Sequence, residues 1–473
     1  MEERGLSSAE MRMASEPMRS LIIKYSIPTM IGMSVNSLYT IADRFWVGKI
    51  PDVGNAALAG LGFSMPIVNM ILALSMLIGV GAAARISIQL GEKNIKEAEE
   101  TVANGLTMIC IIAITFSVLG VIFTPQLLRL FGATDDLMEY ALPYTRIIVG
   151  GSFFNMTSFA LNHPIRATGN PKRFAMTQLI GGITSMILDP ILILVLGWGI
   201  VGAAVSTVIA QSLSAVSVFA YYFSQNSVLR FKLHNFMLKR HTMRNILSIG
   251  LSQFTMQIAN SFTLIAANRA LKHYGILAIG EGGDITAIGA MTIISTISTL
   301  FLMPVIGINQ GAQPIVGFNY GRRNAERVKS AFRWAVTFAM SITIIGLLVV
   351  LLFAESLVRI FNQDGELIRV GASGMRIMLC SLPIIGFQFP SLIFFQSIGR
   401  AKISIMLCVL RQIFILIPAY YLLPITFGLR GVWMAQPFSD FSSSIIIMLL
   451  LLREFKIIDS KLGEGNLIVK NTE

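Results

Sequence analysis

Charged side chains make up only 13% of the 473 residues, where an ordinary soluble domain has about a quarter. With 54% hydrophobic residues beside them, no ordinary soluble surface can be built. Histidine (4) and cysteine (3) are few and scattered, which leaves no metal-site spacing. Cys110, Cys380 and Cys408 stand singly in apolar runs, form no C-x-x-C pair and read as small buried hydrophobes. A G-x-x-x-x-G-K-[ST] loop is missing, which excludes ATP hydrolysis by that route. No G-x-S-x-G elbow or other residue set points to catalysis, so the chain reads as no enzyme and calls for no cofactor. The first twenty residues lack an apolar core with a small-residue cleavage site, so no removable signal is expected and the first span is retained.

What the chain has instead is apolar runs of membrane-spanning length from end to end. Twelve spans are expected, at about 21–47, 56–86, 100–123, 138–165, 174–196, 200–224, 244–271, 285–315, 330–353, 370–397, 403–424 and 430–452. The fold class is therefore an all-α integral membrane protein. The formal charge of +12 needs no nucleic acid, because Lys and Arg sit in alternate short loops, as at Lys93, Lys172, Arg322, Arg323 and Lys402. The positive-inside rule then puts both termini in the cytoplasm and the chain in the cytoplasmic membrane. A monomer is expected, with the bilayer as its surroundings.

The chain also repeats itself. Q-L-G-E-K-N at 89–94 recurs as N-Y-G-R-R-N at 319–324, and the offset of 230 pairs Gly91 with Gly321, Gly81 with Gly311, Gly169 with Gly399 and Lys172 with Lys402. One deletion later, Gly199 and Gly202 match Gly428 and Gly431 at 229. Residues 1–224 and 244–473 are thus read as two six-helix lobes, joined by a cytoplasmic connector at 225–243 expected to lie along anionic headgroups. Six is even, so both copies enter the membrane in one direction and a pseudo-two-fold axis along the membrane normal relates them. Parallel repeats of this kind build secondary transporters.

The first span carries an ionisable residue, Asp43, inside its hydrophobic stretch. A carboxylate there is disfavoured by roughly 2.5–3.5 kcal/mol even on the mildest insertion scales, so it faces protein or water and does something. Asn36, Tyr39 and Asp43 share one helical stripe. In span five, I-T-S-M-I-L-D-P places Asp189 in an apolar run with Ser185 one turn before it, and Pro190 predicts a local kink. By depth, Asp43, Asp189 and Thr207 all fall in the outer half of the first lobe. Two nearby carboxylates with little water hold a proton between them or bind a hard cation such as Na+ through oxygen. The second lobe has Asn268 and Ala419 at the corresponding positions. Arg411 and Asp440 read there as an ion pair, so the coupling ion is expected in the first lobe only. Abundant Phe (30) and Met (25) suit either an adaptable pocket for lipophilic cations or lipid contact.

Together, I-A-D-R-F-W-V-G in span one, L-N-H-P-I-R-A-T-G-N-P at 161–171, I-L-D-P in span five and the two Gly-centred loops make the chain resemble the multidrug and toxic compound extrusion (MATE) family. The likeness is closer to its MepA-like branch than to NorM, since Gln257 stands where NorM relatives use an acid. The resemblance implies two six-helix lobes exporting organic cations or drugs against H+ or Na+. It further implies that Asp43, with Tyr39, is the coupling carboxylate, that Asp189, Ser185 and Thr207 complete the cation site, and that Asn162 joins the polar network. A related flippase for lipid-linked oligosaccharides is the alternative, although such a cavity would be lined by Arg and Lys.

Overall fold

The computed structural model describes residues 8–51, 54–131, 135–225, 227–361 and 363–470. Every regular element among them is helical. α1 (Ser8–Ser15) precedes α2 (Met18–Gly48), α3 (Gly54–Gly91) and α4 (Ile95–Leu130), the first three expected spans. Span four is two helices, α5 (Asp135–Gly150) and α6 (Ser152–Ala167). They part at Gly151, where a Cβ would stand 2.4 Å from the Val208 side chain. Span five is α7 (Pro171–Pro190) with a π-helical turn at Ile191–Val195, and span six is α8 (Gly199–Phe223). α9 (Arg240–Ile279), α10 (Gly283–Gly321) and α11 (Ala325–Arg359) follow as spans seven to nine. α12 (Gly365–Met378) and α13 (Leu382–Ser397) share span ten across a short 3-10 turn. α14 (Ala401–Val409), a π-helical stretch at Leu410–Leu416 and α15 (Ile417–Lys470) supply the last two, α15 being broken at Gly428 (φ 56°, ψ −140°).

Eight helical segments among the described residues are long and apolar enough, by length and composition, to cross a membrane. The last of these, Ala401–Ser460, runs through two expected spans. α5 and α6 are each too short alone, and α9 is too polar, with Gln253, Gln257 and Asn260 in its middle.

The duplication read from the sequence reappears in the backbone. Lys93 and Arg323, 230 residues apart, are the two non-glycine residues with positive φ among those described, at 60° and 56°. Each lies in a loop closed by an Asn cap: Asn94 accepts from the Glu97 N–H, and Asn324 from the Arg327 N–H. Gly169 and Gly399 both turn at positive φ, as do Gly199 and Gly428. These are conformations that glycine adopts without a Cβ clash.

The chain forms two compact units, Met1–Glu16 with Ile31–Phe254, and Pro17–Met30 with Thr255–Glu473. The division falls inside α9, where the sequence pattern had suggested residues 225–243. α2 gives its start to the second unit. There the Thr29 hydroxyl donates to the Gly307 carbonyl at 2.7 Å, and a Cβ on Gly307 would lie 2.6 Å from Met30 Cα. From Ile31 onward α2 belongs to the first unit, and Gly32 packs on Ala175 of α7.

The connector is clasped to α4. Fully buried Asn104 donates to the carbonyls of Asn235 (2.9 Å) and Met237 (3.3 Å) and accepts from the Lys239 N–H at 2.8 Å. Two ion pairs, Lys232 to Glu99 at 2.5 Å and Lys239 to Glu100 at 2.6 Å, flank that bracket. The basic residues at 232 and 239 thus find protein carboxylates where the sequence had suggested headgroups.

Candidate functional site

Three elements of the first unit meet around the two carboxylates. Tyr39 and Asp43 are four residues apart on α2, which puts them on one face. On α7, Ser185 and Asp189 repeat the same spacing. Asp189 is fully buried, and the Ser185 hydroxyl donates towards its two oxygens at 3.4 and 3.2 Å. α8 brings the second donor, with the Ser206 hydroxyl 2.5 Å from Asp189 Oδ1.

The local sequence explains this convergence. Pro190 cannot donate the backbone hydrogen bond of an ordinary helical turn, and the chain passes from it into the π-helical turn at Ile191–Val195. α8 packs against that turn through Gly202, where a Cβ would be 2.7 Å from the Leu192 carbonyl oxygen. Ser206 follows one helical turn later and so points towards Asp189. The next residue is rotated by about 100°, which leaves Thr207 facing a cavity.

That cavity has a volume of about 350 Å³ and lies wholly within the first unit. Tyr39, Asp43, Ser185 and Thr207 all line it. Asp43 is only 9% exposed, and its Oδ1 is buried without a hydrogen-bond partner. Neighbouring Arg44 also lines the cavity, with its Nη2 3.6 Å from the Met65 sulfur. Asp189 and Arg44 are the charges acting on Asp43. Tyr144 from α5 lies within electrostatic reach of Asp43, Tyr39, Arg44 and Asp189.

Other expected residues fall elsewhere. Asn162 is buried away from the cavity lining, where its Nδ2 donates to the Phe174 carbonyl at 3.3 Å and ties α6 to α7. Gln257 belongs to the second unit and accepts from Asn260 at 3.5 Å. The Asn36 side chain lies outside the described residues. No group of three or more His, Cys, Asp or Glu among the described residues is placed to share a metal ion.

The sequence reading had missed Ser206, Tyr144 and Gln211. Choosing between adjacent hydroxyls at 206 and 207 needed the close approach at Gly202. Tyr144, a phenol in an apolar span beside Pro143 and one turn after Tyr140, was a usable signal.

The family model described as MatE matches residues 28–191 and 275–422 of this chain. The chain belongs to the MatE family. Among curated relatives, "Multidrug export protein MepA" of Staphylococcus haemolyticus (strain JCSC1435) is 25% identical over 87% of this chain and 88% of its own length. The protein of that name from Staphylococcus aureus (strain MSSA476) is 24% identical, covering 95% and 97%. Solved structures of the family are similar along the whole chain. An outward-facing multidrug resistance MATE transporter of the MOP superfamily aligns with TM-score 0.89 at 25% identity, covering 97% of this chain and all of that one. So does a MOP superfamily transporter from Pyrococcus furiosus, whose structure is described as having a binding pocket of reverse polarity, at TM-score 0.89 and 25% identity over 96% of this chain and all of that one. The MatE chain is thus a multi-pass membrane protein of a transporter family, with a cavity on the polar face of its first span.

Proposed function

We propose that this MatE protein is a secondary active multidrug exporter that moves organic cations or drugs out of the cell in exchange for H+ or Na+. The observation that carries the reading is the buried Asp43 oxygen, without a hydrogen-bond partner and on the wall of a 350 Å³ cavity, beside a second buried carboxylate at Asp189.

The chemistry follows from what each carboxylate lacks. Asp189 already receives hydroxyls from Ser185 and Ser206, so its negative charge is partly answered. Asp43 Oδ1 has no such donor, which makes it the first place where a small cation gains by binding. The hydroxyls of Ser185, Thr207 and Tyr39 offer oxygen to Na+, while a proton needs only the carboxylate itself. A bulky organic cation entering the same cavity would compete for that charge, and reciprocity requires ion and drug each to weaken the other's binding. Asn162 and Gln257 serve as packing and second-unit network residues in this scheme. The protein acts as a monomer in the cytoplasmic membrane, both termini inside, with no nucleic-acid partner.

Substrate efflux from proteoliposomes under separately imposed H+ and Na+ gradients tests the proposal. Wild-type export is expected to follow one of the two gradients, and Asp43→Asn and Asp189→Asn are each expected to abolish that dependence. Ion-driven export surviving in both variants would overturn the mechanism. Transfer of a lipid-linked oligosaccharide with no drug export would favour the flippase reading.

A further inference from the structure

The second unit holds a buried ion pair that the scheme above does not use. Arg411 is 6% exposed and Asp440 fully buried, and Arg411 Nη2 and Nε both donate to Asp440 Oδ1, at 2.8 and 3.0 Å. The other oxygen accepts from the Ser381 hydroxyl at 2.7 Å, and Gln436 reaches both at 3.4 Å. Gln388 donates to the Asp440 carbonyl at 2.6 Å. Arg411 stands in the π-helical stretch at Leu410–Leu416, a distortion often found at functional sites.

The repeat shows what this cluster corresponds to. At the offset of 229 that pairs α8 with the end of α15, Asp440 answers to Gln211, Gln436 to Thr207 and Ser443 to Ser214. At 230, Gln388 answers to Ser158 and Arg411 to Gly181. All five first-unit counterparts line the cavity of the candidate site. Contacts agree with the register. A Cβ on Gly181 would lie 3.5 Å from the Ala210 carbonyl oxygen, while Arg411 accepts at its own carbonyl from Ser439, the counterpart of Ala210, at 2.9 Å. Where the first unit has a glycine on the cavity wall, with the Ser214 hydroxyl 2.4 Å from where its Cβ would stand, the second has a guanidinium. Where the first has Gln211, whose Oε1 is buried without a partner, the second has a carboxylate.

We propose that Asp440 is a second monovalent-cation site whose place is held by Arg411 as a tethered counter-ion, so that the wild-type protein takes up H+ or Na+ in the first unit alone. The inference rests on the reading of the first-unit cavity as a cation site and adds why its repeat is silent. Among the described residues, Cys380 and Tyr420 also lie within electrostatic reach of Asp440, and neither carries a positive charge. Removing the guanidinium leaves a carboxylate with neutral donors only, which is the situation of Asp189.

Difference infrared spectroscopy of the full-length protein in lipid reads this directly, with H+ and Na+ as the probes. In wild type, no carboxyl band lost on Asp440→Asn responds to either ion. In Arg411→Gln, one band is expected to respond, as a protonated-carboxyl stretch on acidification or a shifted carboxylate stretch with Na+, and to vanish in Arg411→Gln/Asp440→Asn. Because breaking a buried pair is destabilising, melting is measured as well. An Arg411→Gln protein that is stabilised by H+ or Na+, when wild type and the double variant show no such Asp440-dependent gain, supports the same conclusion. A response of Asp440 in wild type overturns the proposal, as does ion independence of both band and melting in Arg411→Gln. The Asp440 readout does not involve transport, so a failure of first-unit coupling would be recognised separately as ion-independent export.

Discussion

Gly250→Ala probes the packing that supports the cavity wall. α3 supplies a long side of the cavity, from Leu61 to Leu72, and then runs against the start of α9. An ideal Cβ on Gly250 would sit 1.7 Å from the Leu77 carbonyl oxygen, and one on Gly81 would sit 2.1 Å from the Ile246 carbonyl oxygen. Real Cβ contacts essentially never fall below 3.0 Å, so at Gly250 the helices must part by at least 3.0 − 1.7 = 1.3 Å. Small residues exist in membrane helices to allow such backbone approach. Since the obstacle is backbone that cannot rotate aside, the cost belongs at the top of the overpacking range, about 3 kcal/mol. Better helix propensity returns about 1 kcal/mol, leaving a net loss of about 2 kcal/mol, or about 30-fold in the unfolding equilibrium. Gly62, on the same α3 with nothing within 4 Å of its added Cβ, is the control. Gly62→Ala is expected to hold or raise the melting temperature in detergent, and Gly250→Ala to lower it clearly. Gly81→Ala/Gly250→Ala should cost less than the sum of its parts, because one separation relieves both clashes. A Gly250→Ala protein that melts at or above wild type would refute the reasoning.

Two further outcomes separate structure from function. Ser206→Ala removes the 2.5 Å donor to Asp189 and should destabilise the protein by about 1–2 kcal/mol in detergent melting; Thr207→Val, one residue on, should change melting by less than about 0.5 kcal/mol while weakening export. Asn104→Ala deletes the three-way bracket on the connector and should raise trypsin cleavage at Lys232, Lys239 or Arg240 about tenfold, the consequence of losing about 1.4 kcal/mol of local stability; an unchanged cleavage rate would show that the two ion pairs suffice.

Much of this protein was legible because a bilayer allows few alternatives. A buried carboxylate in hydrocarbon needs a reason, and Asp43 and Asp189 carried that signal in the first lobe. The repeat was equally plain, since Lys93 and Arg323 occupy the same strained turn at the same offset. What could not be read was direction within a turn. Ser206 and Thr207 are chemically alike, and only the contact of Gly202 with Leu192 decides which one meets Asp189. Connector charges were misjudged for a related reason. A Lys in a loop looks the same whether it meets a headgroup or Glu99, and Asn104, a buried amide in span three, was the neglected hint.

α9 shows how far a membrane helix can depart from lipid compatibility when its partners are built in. Its 40 residues do not reach the hydropathy of an independent crossing, because Gln257, Asn260 and Thr263 interrupt the apolar run. These same groups form a relay within the second unit. Asn260 donates to Gln257 at 3.5 Å and accepts from Gln412 at 2.7 Å, and Thr263 donates to Gln412 at 3.3 Å. Gln412 follows Arg411 directly in the π-helical stretch, whose wider turn is bonded i→i+5. The polarity that weakens α9 as a lipid-facing helix therefore fixes the residue beside Arg411, and so aims the guanidinium at Asp440. Apolar replacement of Asn260 is expected to improve insertion and at the same time to loosen the Arg411–Asp440 ion pair.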